Sequence, residues 1–186
     1  MKCLKCPKPA KVSFKQLGNF CYSCFAEIIE KRAKKVIIEA GLIKRNSKVL
    51  IIDGSTFGKV SEYMFRKIVH SLPITIKVAD KKKKSFDYYI HPYTSDDLAE
   101  EFFECVLEKK KIREFKKNDI LLLKYCTDAE IEIYAKIKKI GVYKDEKSFL
   151  GKLLDDVEKD HPGAKASVLR IRQERSLCGR IQPCKH

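Results

Sequence analysis

The sequence contains no run of about eighteen apolar residues, the length a membrane-spanning helix requires, so no membrane span is expected. Its first residues, Met1-Lys2-Cys3-Leu4-Lys5-Cys6, carry no apolar core of the kind that marks a secretory signal, and a cytoplasmic protein is the expectation. Acidic residues are also in short supply, 25 against 40 lysines and arginines, which leaves a formal net charge of +15. An excess of that size implies a polyanionic partner, nucleic acid being the usual one, with a basic proteome or a basic surface that meets an acidic protein as the alternatives. There is no internal repeat and no low-complexity tract beyond two CxxC knuckles. No catalytic constellation is evident either: His70, His91, His161 and His186 have no serine, cysteine or metal-ligand partner at a diagnostic spacing. With 186 residues, 44% of them hydrophobic, the chain is long enough for one α/β domain plus a small appended module and too apolar to be globally disordered.

Cysteine, by contrast, is plentiful, at eight residues. In a reducing compartment such a number points to metal or catalysis rather than disulfides. Cys3, Cys6, Cys21 and Cys24 form two CxxC pairs with fourteen residues between them. Two such knuckles bring four thiolates into the tetrahedral arrangement of a closed structural zinc site, although redox-active dithiols share the pattern and such knuckles also accept iron. Phe20 and Phe25 flank the second knuckle and are expected to cover one side of it. Cys178 and Cys184 form a further pair with wider spacing, for which His186 would be a third ligand. Cys105 reads as a core thiol on an apolar helix. Cys126 follows a buried strand, where it is either a reactive thiol or a structural one.

Periodicity assigns the rest. Phe25, Ile28, Ile29, Ala33, Val36, Ile37 and Ala40 recur at helical steps, with Lys31, Arg32, Lys34 and Lys35 on the polar face as solvated charge or as phosphate contacts. Val49–Ile52, 74–78, 86–93 and 120–123 read as strands, and 60–71, 96–113, 129–140 and 149–157 as helices. The alternation predicts a doubly wound, mostly parallel α/β sheet preceded by the four-cysteine module. The expected organisation is a zinc-binding module over 1–26, a linking basic helix over 27–47, an α/β domain over 48–163 and a basic tail over 164–186. Lys81, Lys82, Lys83 and Lys84 form a basic loop; Arg170, Arg172 and Arg175 add charge to the tail. The turn after the first long strand, Asp53-Gly54-Ser55-Thr56-Phe57-Gly58-Lys59, is one residue too short between its glycines for a Walker loop, and Val60 stands where a serine or threonine belongs. An anion site at the following helix N-terminus stays open, with Asp53 opposing it.

The order of these parts resembles the tRNA 2-thiolation proteins of the PP-loop (N-type ATP pyrophosphatase) superfamily: knuckles ending in Cys21-Tyr22-Ser23-Cys24-Phe25, a basic helix, Gly41-Leu42-Ile43, then Lys48-Val49-Leu50-Ile51-Ile52 entering a turn. Within that superfamily the chain is similar to the cytosolic thiouridylase subunit 2 family, whose PP-loop is degenerate. Where the catalytic members carry Ser-Gly-Gly-x-Asp-Ser, this sequence offers Thr56-Phe57-Gly58-Lys59-Val60-Ser61, so that only Gly58, Lys59 and Ser61 match as nucleotide-binding residues. Of the central cysteines of the catalytic members only Cys126 has a counterpart, and the end of the chain, with His161-Pro162-Gly163, Cys178 and Cys184, is similar to that family's C-terminal region. The resemblance implies a non-catalytic subunit that assists 2-thiolation of wobble uridine, with structural zinc and without ATP. Its partners would be tRNA, an ATP-using PP-loop thiolase and a ubiquitin-like sulfur carrier. Two alternatives remain: an active ATP-dependent thiouridylase that uses Cys126, and a zinc-containing RNA- or protein-binding module unrelated to thiolation.

Overall fold

The structure is a computed structural model that describes residues 1–178 apart from 16, 42, 55–56 and 142–146, with side chains as far as residue 172. In chain order its elements are β1 (Val12–Phe14), β2 (Gly18–Phe20), α1 (Tyr22–Glu39), β3 (Lys48–Ile52), α2 (Gly58–Ile68), β4 (Thr75–Ala79), β5 (Tyr88–His91), α3 (Ser95–Leu107), β6 (Asp119–Leu121), α4 (Asp128–Lys138), α5 (Phe149–Asp160) and α6 (Ala164–Cys178). They fall into two compact units. One comprises Met1–Thr94 with Phe115–Asp145, the other Ser95–Glu114 with Glu146–His186.

The first unit holds the sheet. Its four strands lie in the order β4-β3-β5-β6 and every pairing is parallel, with Val49 opposite both Ile76 and Tyr88, and Ile90 opposite Ile120. The expected parallel α/β sheet is therefore present. The continuous run Val49-Leu50-Ile51 has its cause here: all three side chains are buried, as befits a strand covered on both faces. Val49 and Ile51 enter the main core together with Phe25, Ile29, Ala33 and Val36 of α1, Met64 and Phe65 of α2, and Ile131 and Tyr134 of α4. The three- and four-residue steps of α1 thus face the sheet and its neighbouring helices. Helix α1 stops where Gly41 adopts φ +87°, the left-handed conformation that terminates helices at least cost with glycine. β1 and β2 form a separate antiparallel hairpin before α1.

The chain runs from β3 out to β4, then back past β3 to β5. The winding direction reverses between β3 and β5, and in open parallel sheets the ligand crevice lies at the carboxyl ends of the strands at such a point, here around Asp53 and the start of α2.

The second unit packs Ala99 and Phe102 of α3 against Leu154 of α5 and Val168 of α6. Residues 164–178, read from sequence as a tail, form helix α6. Its inward side is largely charged. Lys165 is 8% exposed and sits between Asp96, at 3.0 Å, and Asp155. Arg172 holds Glu101 at 2.9 Å. No helix among the described residues is long and apolar enough to cross a membrane.

Candidate metal centre and the neighbouring sites

Backbone hydrogen bonds help to bring the two knuckles together. Within the first, the Cys3 amide donates to the Lys8 carbonyl at 3.0 Å and the Leu4 amide to the Asn19 carbonyl at 2.9 Å, which pins the loop to β2. The second knuckle opens α1: Cys21 is the N-cap and its sulfur accepts from the Cys24 amide at 3.5 Å. Cys3 and Cys21 are buried, Cys6 and Cys24 half-buried. Phe20 and Phe25 are buried in the same cluster as Cys3 and Cys21, and Phe25 stacks on Phe14 with ring centroids 5.6 Å apart.

All four sulfurs lie within 4.8 Å of one another, and Cys6 Sγ stands 3.5 Å from Cys21 Sγ. Four thiolates held tetrahedrally about one ion at about 2.3 Å would be about 3.8 Å apart, so the cluster has the dimensions of a single-ion site. The four thiols differ in their electrostatics. Burial raises the Cys3 thiol, but hydrogen bonds from the Cys21, Lys5 and Cys6 backbones outweigh it and bring it down to about 6. The Cys24 thiol, beside the sulfur of Cys21, is pushed up to about 12. Among the four, charge concentrates on Cys3 and Cys21, and only a bound cation lets all four ionise together.

At the crevice, the sequence-assigned residues Gly58, Lys59 and Ser61 occupy the first turn of α2. The turn is tight: a Cβ on Gly58 would stand 2.6 Å from Asp53 Cα and 2.8 Å from its carbonyl oxygen, and one on Gly54 would stand 2.8 Å from the Asp80 carbonyl oxygen. Gly58→Ala is therefore expected to overpack the turn and destabilise the fold by about 1–3 kcal/mol, as measured by chemical denaturation. Two polar atoms here, Asp53 Oδ1 and Ser61 Oγ, are buried without a hydrogen-bond partner. Burial, with Glu62 adding to it, raises the Asp53 carboxyl above its ordinary range. A carboxylate at this point is a poor neighbour for a triphosphate.

Cys126 is 1% exposed, and burial pushes its thiol up to about 12, so at neutral pH it is a thiol and not a thiolate. Beside it, Arg32 Nη1 donates to Glu130 at 2.9 Å and to the Tyr125 carbonyl at 3.0 Å. Glu130 also closes a capping box with Thr127 at the start of α4. The sequence shows that box as Thr127-x-x-Glu130, but gives no sign that Arg32 joins it.

The basic residues differ in their surroundings. Lys31 and Lys35 are exposed and face Glu27 and Glu39 one helical turn away, at 4.0 and 3.8 Å; Lys34 is exposed. In the loop of four lysines, Lys82 reaches Asp119 at 2.6 Å and lies over the Tyr89 ring, while Lys81, Lys83 and Lys84 are exposed. His91, without a partner in the sequence pattern, meets the same Asp119 at 3.1 Å. Arg170 is exposed and Arg172 is buried. The side chains of Arg175 and Cys178, and the whole of Cys184 and His186, lie outside the described residues.

With this geometry in hand, comparison with known proteins gives three results. No protein-family profile matches the chain. Over 52 residues it is 44% identical to the tRNA-5-methyluridine(54) 2-sulfurtransferase of Thermotoga maritima, a match that covers 27% of this chain and 17% of that protein. Its fold is similar to that of the U34-tRNA thiolase NcsA from Methanococcus maripaludis, solved with its [4Fe-4S] cluster, at a TM-score of 0.77 and 17% identity over 95% of this chain and 87% of that one. The chain thus has the fold of a tRNA thiolase and shares a short, closely similar segment with another; that segment is about one sixth of the relative it matches.

Proposed function

We propose that this protein is a non-catalytic subunit in the 2-thiolation of wobble uridine in tRNA, of the cytosolic thiouridylase subunit 2 type. It would bind tRNA and an ATP-using PP-loop thiolase that receives sulfur from a ubiquitin-like carrier. The observation that supports this reading is the turn between β3 and α2. The fold is that of a thiolase, yet the turn lacks the first glycine and the aspartate of Ser-Gly-Gly-x-Asp-Ser and sets half-buried Asp53, its Oδ1 without a hydrogen-bond partner, against α2. The fully buried Cys126 supports the same reading, since a sulfur-transferring cysteine must reach its substrate and ionise. In this role Lys31, Lys34 and Lys35, with Lys81, Lys83, Lys84 and Arg170, contribute positive surface to the tRNA. Arg32, Lys82 and Arg172 lie in the same stretches but hold Glu130, Asp119 and Glu101.

The four N-terminal cysteines fit a single zinc ion. A four-iron cube spreads its thiolates farther apart than one ion does, and the sulfurs here are clustered within 4.8 Å. Bound zinc would supply structural cross-linking and no chemistry, because four thiolates leave no open coordination position.

The test is calorimetric titration of the purified protein with ATP and magnesium, together with thiouridine analysis of tRNA from cells that lack the protein. The expected results are no binding heat up to about millimolar nucleotide, which limits any affinity to weaker than about −4 kcal/mol, and loss of 2-thiouridine at position 34. Stoichiometric ATP binding that Lys59→Ala weakens would instead make the chain an active thiouridylase. Unchanged thiouridine would leave a metal-bearing binding module outside thiolation.

A further inference from the structure

A cleft of about 710 Å³ opens at the amino-terminal edge of the sheet, the end opposite the crevice at Asp53. Lys44 and Arg45 line it from the turn before β3, Lys116 and Lys117 from the turn before β6, and Asp87 and Tyr88 from the start of β5. All four basic side chains are exposed.

Their surroundings set them apart. Several lysines elsewhere in this unit are neutralised locally, as in Lys67 on Glu30, Lys82 on Asp119 and Lys124 on Glu39, and other exposed ones, such as Lys34 and Lys83, do not line this cleft. Among the described residues, Lys44, Arg45, Lys116 and Lys117 make no ion pair. The one acid that lines the cleft, Asp87, accepts the Lys48 backbone amide at 2.7 Å and is turned to holding β3 rather than to neutralising the cations. Both turns are tied by hydrogen bonds. Ser47 Oγ donates to the Lys44 carbonyl at 2.6 Å, and the Asn46 amide donates to the Pro73 carbonyl at 2.6 Å. On the far side the Lys116 amide donates to Asp119 Oδ2 at 3.0 Å. Four cations therefore line the two walls of one cleft without acidic partners, and their mutual repulsion is relieved by a polyanion.

We infer that this cleft is an RNA-backbone binding site, formed by Lys44, Arg45, Lys116 and Lys117. A lone phosphate would meet one or two of four cations spread over both walls, whereas a run of phosphodiesters meets all of them. The concave shape disfavours a flat lipid surface. Tyr88, half-buried at the start of β5, offers a ring against which a ribose or base can pack. This inference rests on the reading that tRNA is the partner, and adds a contact surface that neither the α1 lysines nor the Lys81–Lys84 loop includes.

The test uses the full, metal-loaded chain and a fluorescein-labelled, unmodified tRNA transcript. Anisotropy titrations between about 50 and 300 mM KCl give both affinity and its salt dependence. The variant is Lys44→Gln/Arg45→Gln/Lys116→Gln/Lys117→Gln; if it does not fold, the two double variants, one per turn, are read instead. Lys109→Gln/Lys152→Gln serves as a charge control. Relative to the unaltered protein, the quadruple variant should bind at least about tenfold more weakly at 150 mM salt, with the slope of log K against log salt shallower by about 3 to 4, near 0.9 per lost contact. Each double variant should lose about half of that slope, and the control less than one unit. Tight tRNA binding with an unchanged slope in the cleft variants overturns the cleft and leaves the tRNA reading standing. Failure of the unaltered protein to bind tRNA overturns both.

Discussion

Cys21→Ser is expected to leave the protein without metal and without a stable N-terminal module. Cys21 is a buried sulfur of the four-thiol cluster and also the N-cap of α1, so one substitution removes a ligand and alters a helix start. The capping loss alone is small, because serine is itself a good N-cap. Metal loss is the large effect. Structural zinc contributes about 10–16 kcal/mol to the folding of small zinc modules, against a typical whole-domain stability of about 5–15 kcal/mol. Only part of that appears globally, since α1 is also anchored by its packing on α2 and α4. A net loss of about 5 kcal/mol would lower Tm by about 10–20 °C in a chain of this size. Metal analysis of the unaltered protein should find one zinc per chain and no acid-labile sulfide. The Cys21→Ser protein should contain almost none, and chelation of the unaltered protein should reproduce its Tm. An unchanged Tm on full demetallation would show that the module holds itself together by its backbone bonds alone.

Arg32→Ala should destabilise the protein by about 3–5 kcal/mol, the usual cost of stranding one member of a buried ion pair. The Glu130 side chain is 6% exposed, and its carboxylate accepts both Arg32 Nη1 and the Thr127 amide. Without the guanidinium it would have to protonate, recruit water or pull α4 away from α1. Arg32→Met/Glu130→Met should regain much of the loss, because an apolar pair of similar volume removes the unpaired charge. Urea denaturation of the three proteins gives the values. If Arg32 instead serves chiefly as an RNA contact, Arg32→Ala will weaken tRNA binding with little change in the denaturation midpoint.

The sequence carried those parts of the molecule that rest on apolar periodicity or on cysteine spacing. The steps Phe25, Ile29, Ala33 and Val36 exposed α1, and the unbroken Val49-Leu50-Ile51 exposed a strand buried on both faces. Cys3, Cys6, Cys21 and Cys24 assemble as a four-sulfur cluster. Helix α6 was not legible, because its inward positions include Lys165 and Arg172, which are buried against acids of α3 and α5 rather than against hydrocarbon. Arg32 fails for a related reason. In the stretch Lys31–Lys35 all four cations look alike, and only the placement of α4 singles out the one that turns inward. The orphaned Asp53 and Ser61 oxygens depend on how closely α2 approaches the end of β3, a distance with no signature in residue type beyond Gly58.

The way α1 joins two kinds of structure also bears on the order of folding. Its first turn carries Cys21 and Cys24, whose partners Cys3 and Cys6 lie within about twenty residues, whereas its later turns wait on a sheet in which Leu50 must find Tyr89, 39 positions away. Short loops close sooner and at less entropic cost than long ones, and the N-terminal segment leaves the ribosome first. Metal capture can therefore precede the sheet and present α1, already wound from its first turn, as a template on which β3, α2 and α4 condense. Cellular supply of the metal would then act as a rate control on maturation, deciding how long the apolar strands of each new chain stay uncovered before the fold closes over them.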